Sequence, residues 1–199
     1  MKAPTLDSLI AAGVKGRRVL VRADLNVPLR DGAVADDARI RASLPTLERL
    51  LAAGARVVVV SHLGRPKGER RPELSLAPVA QALGEALGRK AAFCSECVGP
   101  EAEAAVAALG DGELLVLENL RFHAGETAND PEFAQALARL ADDYVNDAFG
   151  TAHRAHASTA GVVARVERVA AGDLLATEVE HLRMVLEPER PFVCLLGGA

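Results

Sequence analysis

The chain has 199 residues, half of them hydrophobic, enough for one large domain that buries about 70 % of the surface its unfolded form would expose, so disorder is excluded. Its 23 Lys and Arg against 27 Asp and Glu leave a net charge of -4, which gives no bulk attraction to nucleic acid or anionic lipid and makes any anion site a local one. Nothing between Met1 and Gly16 reads as a leader, no apolar stretch approaches the ~20 residues of a membrane helix, and Cys94, Cys97 and Cys194 are too few and too uneven for a secreted disulfide framework, so a soluble cytoplasmic protein is expected.

Short runs rich in Val and Leu, apolar on both faces, predict buried parallel strands at Val19 to Arg22, Val57 to Ser61, Ala91 to Cys94, Leu114 to Glu118, Tyr144 to Asn146 and Phe192 to Leu196. Between the first two, Leu44, Leu47, Leu50 and Leu51 form one apolar helical stripe, with Gly54 where a C-terminal cap belongs. The loop from Gly64 to Pro72 holds Pro, Gly and five charges and reads as a mobile surface excursion. Leu76 to Leu87 and Glu101 to Leu109 read as alanine-rich helices, Asp130 before Pro131 opens another, and Asp173 to Leu186 forms the last. Strands alternating with helices imply an α/β fold: a doubly wound, mainly parallel six-stranded open sheet with helices on both faces, a Rossmann-like three-layer sandwich.

In such a sheet, ligands bind beyond the carboxyl ends of the strands. Arg22, Asp24 and Asn26 follow the first strand, His62 and Arg65 the second, Asn119, Arg121 and His123 the fourth, and Asp147, His153, Arg154 and His156 the fifth. Arg39, at the start of the first long helix, faces the same edge. If the loops converge, Arg22, Arg39, Arg65, Arg121 and Arg154 make a site for a small, multiply charged anion, because planar guanidinium forks recognise phosphate and carboxylate by shape as well as charge. Asp24 and Asn26 add acceptors suited to a hydroxyl. Taken singly, each arginine reads equally as a solvated loop residue or the partner of a nearby acid, and Arg22 as a strand-end residue paired with one. The histidines could equally cap or bracket turns. No metal site is expected, since the one CxxC, Cys94 to Cys97, lacks a second pair at zinc spacing. No GxGxxG turn or GxxxxGK[ST] loop is present, so no nucleotide site is expected here.

Val19-Leu-Val-Arg-Ala-Asp-Leu-Asn-Val-Pro28, Ser61-His-Leu-Gly-Arg-Pro66, Leu117-Glu-Asn-Leu-Arg-Phe122, Asn146-Asp-Ala-Phe-Gly150 and Ala152-His-Arg-Ala-His-Ala-Ser-Thr159 resemble, in order, the signature segments of phosphoglycerate kinase. Gly197-Gly198-Ala199 resembles the family's hinge-proximal turn. The resemblance implies a glycolytic phosphotransferase moving a phosphoryl group between 1,3-bisphosphoglycerate and Mg-ADP, with each substrate on its own domain. It implies that Asp24, Asn26, Arg39, His62, Arg65, Arg121 and Arg154 hold 3-phosphoglycerate, with the backbone of Leu25 and of Leu63 and Gly64 lining those loops, and that Arg39 is catalytic, meeting the phosphoryl in flight. On this basis residues 1–188 are expected to form the amino-terminal substrate domain and 189–199 the last strand and start of the hinge. The carboxy-terminal nucleotide domain, with Mg-ATP or Mg-ADP, would then be absent, and the chain inactive alone. The partners expected are 3-phosphoglycerate or 1,3-bisphosphoglycerate and that second domain; no nucleic acid or membrane is expected, and the chain should be a monomer with weak self-association through an uncovered apolar surface. A non-catalytic small-anion-binding module of the same fold is the alternative.

Overall fold

A computed structural model describes residues 4–186, 188–193 and 197. The elements run α1 (Leu6–Ala11), β1 (Arg18–Ala23), β2 (Leu29–Arg30), β3 (Ala33–Val34), α2 (Ala38–Ala52), β4 (Arg56–Val60), α3 (Ala77–Ala86), β5 (Ala92–Cys94), α4 (Pro100–Ala107), β6 (Leu114–Leu117), α5 (Ala124–Ala128), α6 (Pro131–Ala138), β7 (Asp143–Asp147), α7 (Phe149–Ala152), β8 (Arg168–Ala171) and α8 (Asp173–Leu186). Six strands form one sheet in the order β5-β6-β4-β1-β7-β8, every neighbouring pair parallel, while β2 and β3 make a small antiparallel hairpin.

The central strands read as continuous apolar runs because both of their faces are covered. Val19, Val21, Val57, Val59, Leu114 and Val116 pack with Leu47 and Leu50 of α2 and Val79 and Leu83 of α3. The alternate residues Leu20, Val58, Val60, Leu115 and Leu117 pack with Val106 of α4 and Phe133 and Leu137 of α6. In register, Val19 pairs with Val57 and Val57 with Leu114, so β-branched and leucine side chains stack in rows across the sheet. Asp130 caps α6 as expected, its carboxylate accepting from the Phe133 N–H at 2.8 Å, with Pro131 in the first turn.

Among the described residues the sixth strand of the sheet is one that no apolar run marked. It is β8, whose Arg168 to Ala171 pair with Asp143 to Asn146 along the open side of β7. Phe192 and Val193 lie outside any strand, and 194–196, like Gly198 and Ala199, fall outside the described residues. Short and alanine-rich at the sheet edge, β8 carries too little hydrophobicity to announce itself. The 64–72 loop is also better tied than its composition suggests: Gly68 N–H donates to the Arg121 carbonyl, and Arg70 donates to the Ser95 carbonyl and stacks 5.7 Å from the Phe122 ring centre.

The amino edge of the sheet is closed by ion pairs. Arg17 and Arg168 both clasp the fully buried Asp143, Arg18 pairs with Asp142, Arg56 with Asp111 and Arg139 with Glu103. At the other edge α8 is anchored at its start: the Asp147 carboxylate accepts from Leu174 N–H at 3.0 Å, and Thr46 Oγ1 accepts from Asp173 N–H at 2.9 Å. Further along, Leu182, Met184 and Leu186 are exposed. Among the described residues no helix is long and apolar enough to cross a membrane.

Candidate anion-binding site

The chain leaves β1 for β4 through α2, on one face, and leaves β6 for β7 through α5 and α6, on the other. The connections therefore part between adjacent β1 and β7, and a crevice opens above their carboxyl ends, as expected at a topological switch point. Because β6, β4, β1 and β7 are neighbours, their following loops stand side by side. They enclose a cavity of about 250 Å³ lined by Asp24, Asn26, Arg39, His62, Gly64, Arg65, Arg121, Gly150, Thr151 and Arg154. A wider basin of about 600 Å³ adjoins it, sharing Arg65, Arg121 and Arg154 and adding Lys67 and His156. On the opposite side a 390 Å³ recess beside α2 and α8 shares Asp24, Arg39 and Gly150.

The walls are held by polar groups behind them. Ser61 Oγ donates to the Ala23 carbonyl at 2.8 Å and accepts from Leu25 N–H at 3.0 Å, joining the ends of β1 and β4. Buried Asn119 donates to the Leu63 and Leu74 carbonyls at 2.8 and 3.0 Å, and its side-chain oxygen accepts from Arg121 N–H at 3.1 Å. Asn26 Oδ1 accepts from Gly64 N–H at 2.9 Å, while Arg121 donates to the Gly64 carbonyl at 2.9 Å. Gly64 has φ +63°, a conformation that favours glycine, and a Cβ there would also displace the end of the Leu74 side chain, 2.8 Å away.

Of the residues singled out in the sequence, Asp24, Asn26, Arg39, His62, Gly64, Arg65, Arg121 and Arg154 meet in this cavity; Leu25 and Leu63 stand behind it, their side chains buried and the Leu25 N–H and both Leu63 backbone groups taken by Ser61 and Asn119. Several neighbours do other work. Asn119 braces loops, Asp147 caps α8, His123 lies against Phe133 with ring centres 5.2 Å apart, and His153 lines none of these cavities. Arg22 is fully buried beneath the rim, so the expected set of five arginines becomes four around the cavity. It is bonded to Ser158 and His62 and not to an acid. Gly150 and Thr151 line the site without having been singled out; Gly150 belongs to the Asn146–Gly150 motif and stands where a Cβ would come 3.1 Å from Asp24.

Charge is concentrated without neutralisation. Arg39 pairs with Asp24, but Arg65, Arg121 and Arg154 make no ion pair with a carboxylate among the described residues. Arg121 Nε is buried without a hydrogen-bond partner, an orphaned donor beside the cavity. Burial first, then the charges of Arg22, Arg154 and Arg65, push the Arg121 guanidinium below its ordinary value, although buried Glu126 opposes them. Burial, followed by Arg22, Arg121, His156 and Arg154, pushes His62 down to about 2, so its ring is neutral at physiological pH. A pocket of forked cations suits a ligand bearing more than one anionic group. Among the described residues no cluster of three or more His, Cys, Asp and Glu could hold a metal ion. Cys94 and Cys97 are buried thiols, both raised by burial.

A sequence model of phosphoglycerate kinase matches residues 9–199. The chain belongs to the phosphoglycerate kinase family. The phosphoglycerate kinase of Moorella thermoacetica is 60 % identical over 187 residues, covering 94 % of this chain and 47 % of its own length. That of Acaryochloris marina is 51 % identical over 201 residues, covering the whole chain and 50 % of its own length. Among solved structures, the phosphoglycerate kinase of Coxiella burnetii superposes with a TM-score of 0.79 at 41 % identity, over 90 % of this chain and 44 % of that one. The phosphoglycerate kinase of Pyrococcus horikoshii gives 0.80 at 34 %, over 89 % and 45 %. The chain thus spans about half the length of the phosphoglycerate kinases it matches.

Proposed function

We propose that this chain is the substrate-binding half of a phosphoglycerate kinase and that the arginine cavity holds 3-phosphoglycerate or 1,3-bisphosphoglycerate. The observation that carries this reading is the convergence of Arg39, from the first turn of α2, and of Arg65, Arg121 and Arg154, from three separate connections, on one cavity, the last three without a carboxylate partner among the described residues. Arg65, Arg121 and Arg154 would clasp the terminal phosphate, while Arg39, Asp24 and Asn26, at the β1 end, would meet the carboxyl group and the hydroxyl between them. Arg39 also lines the recess toward α8, which supports a role for its guanidinium on the oxygens of the transferring phosphoryl group. A loose phosphoryl-transfer transition state needs in-line positioning and cations on its oxygens, and these residues supply both without a covalent nucleophile.

The nucleotide and its magnesium ion are the reaction's other substrates, and this reading gives no residue of the cavity to them. The reading therefore assigns them to the other half of the family's length, acting in the cytoplasm as part of glycolysis. It also has that half, a carboxy-terminal domain, cover the exposed Val179, Leu182 and Leu186 face of α8. Alone, the chain binds 3-phosphoglycerate and transfers nothing. Calorimetry should show binding that Arg39→Ala weakens and that unrelated phosphates do not match. A coupled kinase assay should show turnover only after the separately expressed second half is added. ATP-dependent turnover by the chain alone, or 3-phosphoglycerate affinity indifferent to Arg39→Ala, would overturn the proposal.

A further inference from the structure

Arg22 ends in the protein interior, and its bonding dictates the state of a residue that does line the cavity. Its Nε donates to Ser158 Oγ at 3.0 Å, one terminal nitrogen donates to the Ala23 carbonyl, and the other, Nη2, lies 2.9 Å from His62 Nδ1. A guanidinium has five N–H donors and no acceptor, so the contact with His62 is a hydrogen bond only when Nδ1 carries no proton. An imidazolium, or the tautomer protonated on Nδ1, would set two donors head to head inside a buried pocket. The ring's single proton therefore belongs on Nε2, the nitrogen left for the cavity.

The support for Arg22 is equally specific. Ser158, on the π-helical turn Ala157–Gly161, accepts from Arg22 and donates its own hydroxyl to Glu126 Oε1 at 2.6 Å, while its N–H donates to Glu126 Oε2 at 3.0 Å. Tyr144 donates to the Ser158 carbonyl at 2.7 Å, fixing the serine from the sheet side. Fully buried Glu126 is thus the counter-charge of fully buried Arg22, one hydroxyl removed, and His156 Nδ1 lies 3.7 Å from the same carboxylate. Toward His62 itself the charged and titratable groups are Arg22, Arg121, Arg154 and His156.

We infer that Arg22 is a positioning residue that holds His62 as the neutral Nε2–H tautomer, so that the ring meets a bound anion as a directed, uncharged hydrogen-bond donor. The advantage is electrostatic: a proton on His62 would add a further positive charge beside Arg121 and Arg154, whereas a neutral N–H adds direction without that repulsion. The role of His62 toward ligand rests on the phosphoglycerate reading, but its tautomer does not.

Long-range proton–nitrogen NMR of the ¹⁵N-labelled chain, with His62 assigned through His62→Gln, tests both parts. In the ligand-free protein Nδ1 should show the unprotonated shift and Nε2 the protonated one, unchanged between about pH 8 and about pH 5, where a free histidine titrates. A protonated Nδ1 or a charged ring at about pH 7 would overturn the assignment, and this spectrum requires no variant of Arg22 to fold. Arg22→Met should release the ring to a mixture of tautomers that titrates in that range, and should weaken 3-phosphoglycerate binding about tenfold, the loss of one well-directed bond to a charged group. The wild-type tautomer persisting in Arg22→Met would remove Arg22 from the account. Adding 3-phosphoglycerate should shift the Nε2–H signal and leave Nδ1 unprotonated. If the free-state tautomer is as assigned and the ligand moves nothing, the substrate reading fails and the tautomer stands.

Discussion

The two edges of the sheet use the same residue for opposite ends. At the amino edge Arg17, Arg18, Arg56, Arg139 and Arg168 each meet a carboxylate, and Asp143 is gripped by two guanidinium groups at once. At the carboxyl edge Arg65, Arg121 and Arg154 meet no carboxylate among the described residues, and burial together with one another's charge pushes Arg121 down. A paired arginine joins strands; an unpaired one, held by backbone carbonyls and aimed at a cavity, is available to an anion. Arginine content cannot distinguish these uses, but the partner of each guanidinium can.

If the contrast is real, stability and affinity should separate by edge. The largest effect should come from removing both grips on Asp143: Arg17→Ala with Arg168→Ala leaves a buried carboxylate without a counter-charge and should cost about 3 kcal/mol in denaturant unfolding, with 3-phosphoglycerate affinity unchanged. Arg121→Ala should do the reverse, weakening that affinity roughly 10- to 100-fold, the worth of a charged hydrogen bond, while the unfolding midpoint holds or rises as like-charge repulsion is relieved. A large loss of stability in Arg121→Ala would erase the distinction.

Acid sharpens the same comparison. Burial would raise Asp143, but the bonds from Arg168 and Arg17 outweigh it and hold the folded carboxyl below its ordinary value. Its stabilisation is therefore fully present above the unfolded value of about 4 and is lost as pH falls through the lower folded value. Asp143→Asn should flatten that part of the acid-unfolding curve. Smallest of all should be Arg65→Ala: the side chain is exposed, so affinity should fall only about threefold, and less at high salt.

Much of this was legible in the sequence because central parallel strands and their following loops leave strong local marks. Five of the six strands appear as short apolar runs, three of them rich in Val and Leu, and Asp24, His62 and Arg121 follow such runs within a few residues. β8 was hidden because Val169, Ala170 and Ala171 gain their place by pairing with β7, a contact that no local pattern records. Arg22 was grouped with the rim because a strand-end arginine and a buried one look alike in one dimension. Its true setting depends on Ser158 and Glu126, more than a hundred positions away. Gly150 carried a motif but no charge, and its value lies in the side chain it lacks beside Asp24.

The ion pair between Arg39 and Asp24 sets a carboxylate of the protein's own against one of the cavity's guanidinium groups. An incoming ligand must displace that carboxylate, so a molecule with a single anionic group merely exchanges one carboxylate for another at Arg39 and gains little there. A ligand that also meets Arg65, Arg121 and Arg154 would offset the exchange at guanidinium groups with no carboxylate partner among the described residues, and its hydroxyl could take up the released Asp24. On the phosphoglycerate reading, the pair would make affinity depend on how many anionic groups a ligand presents at once.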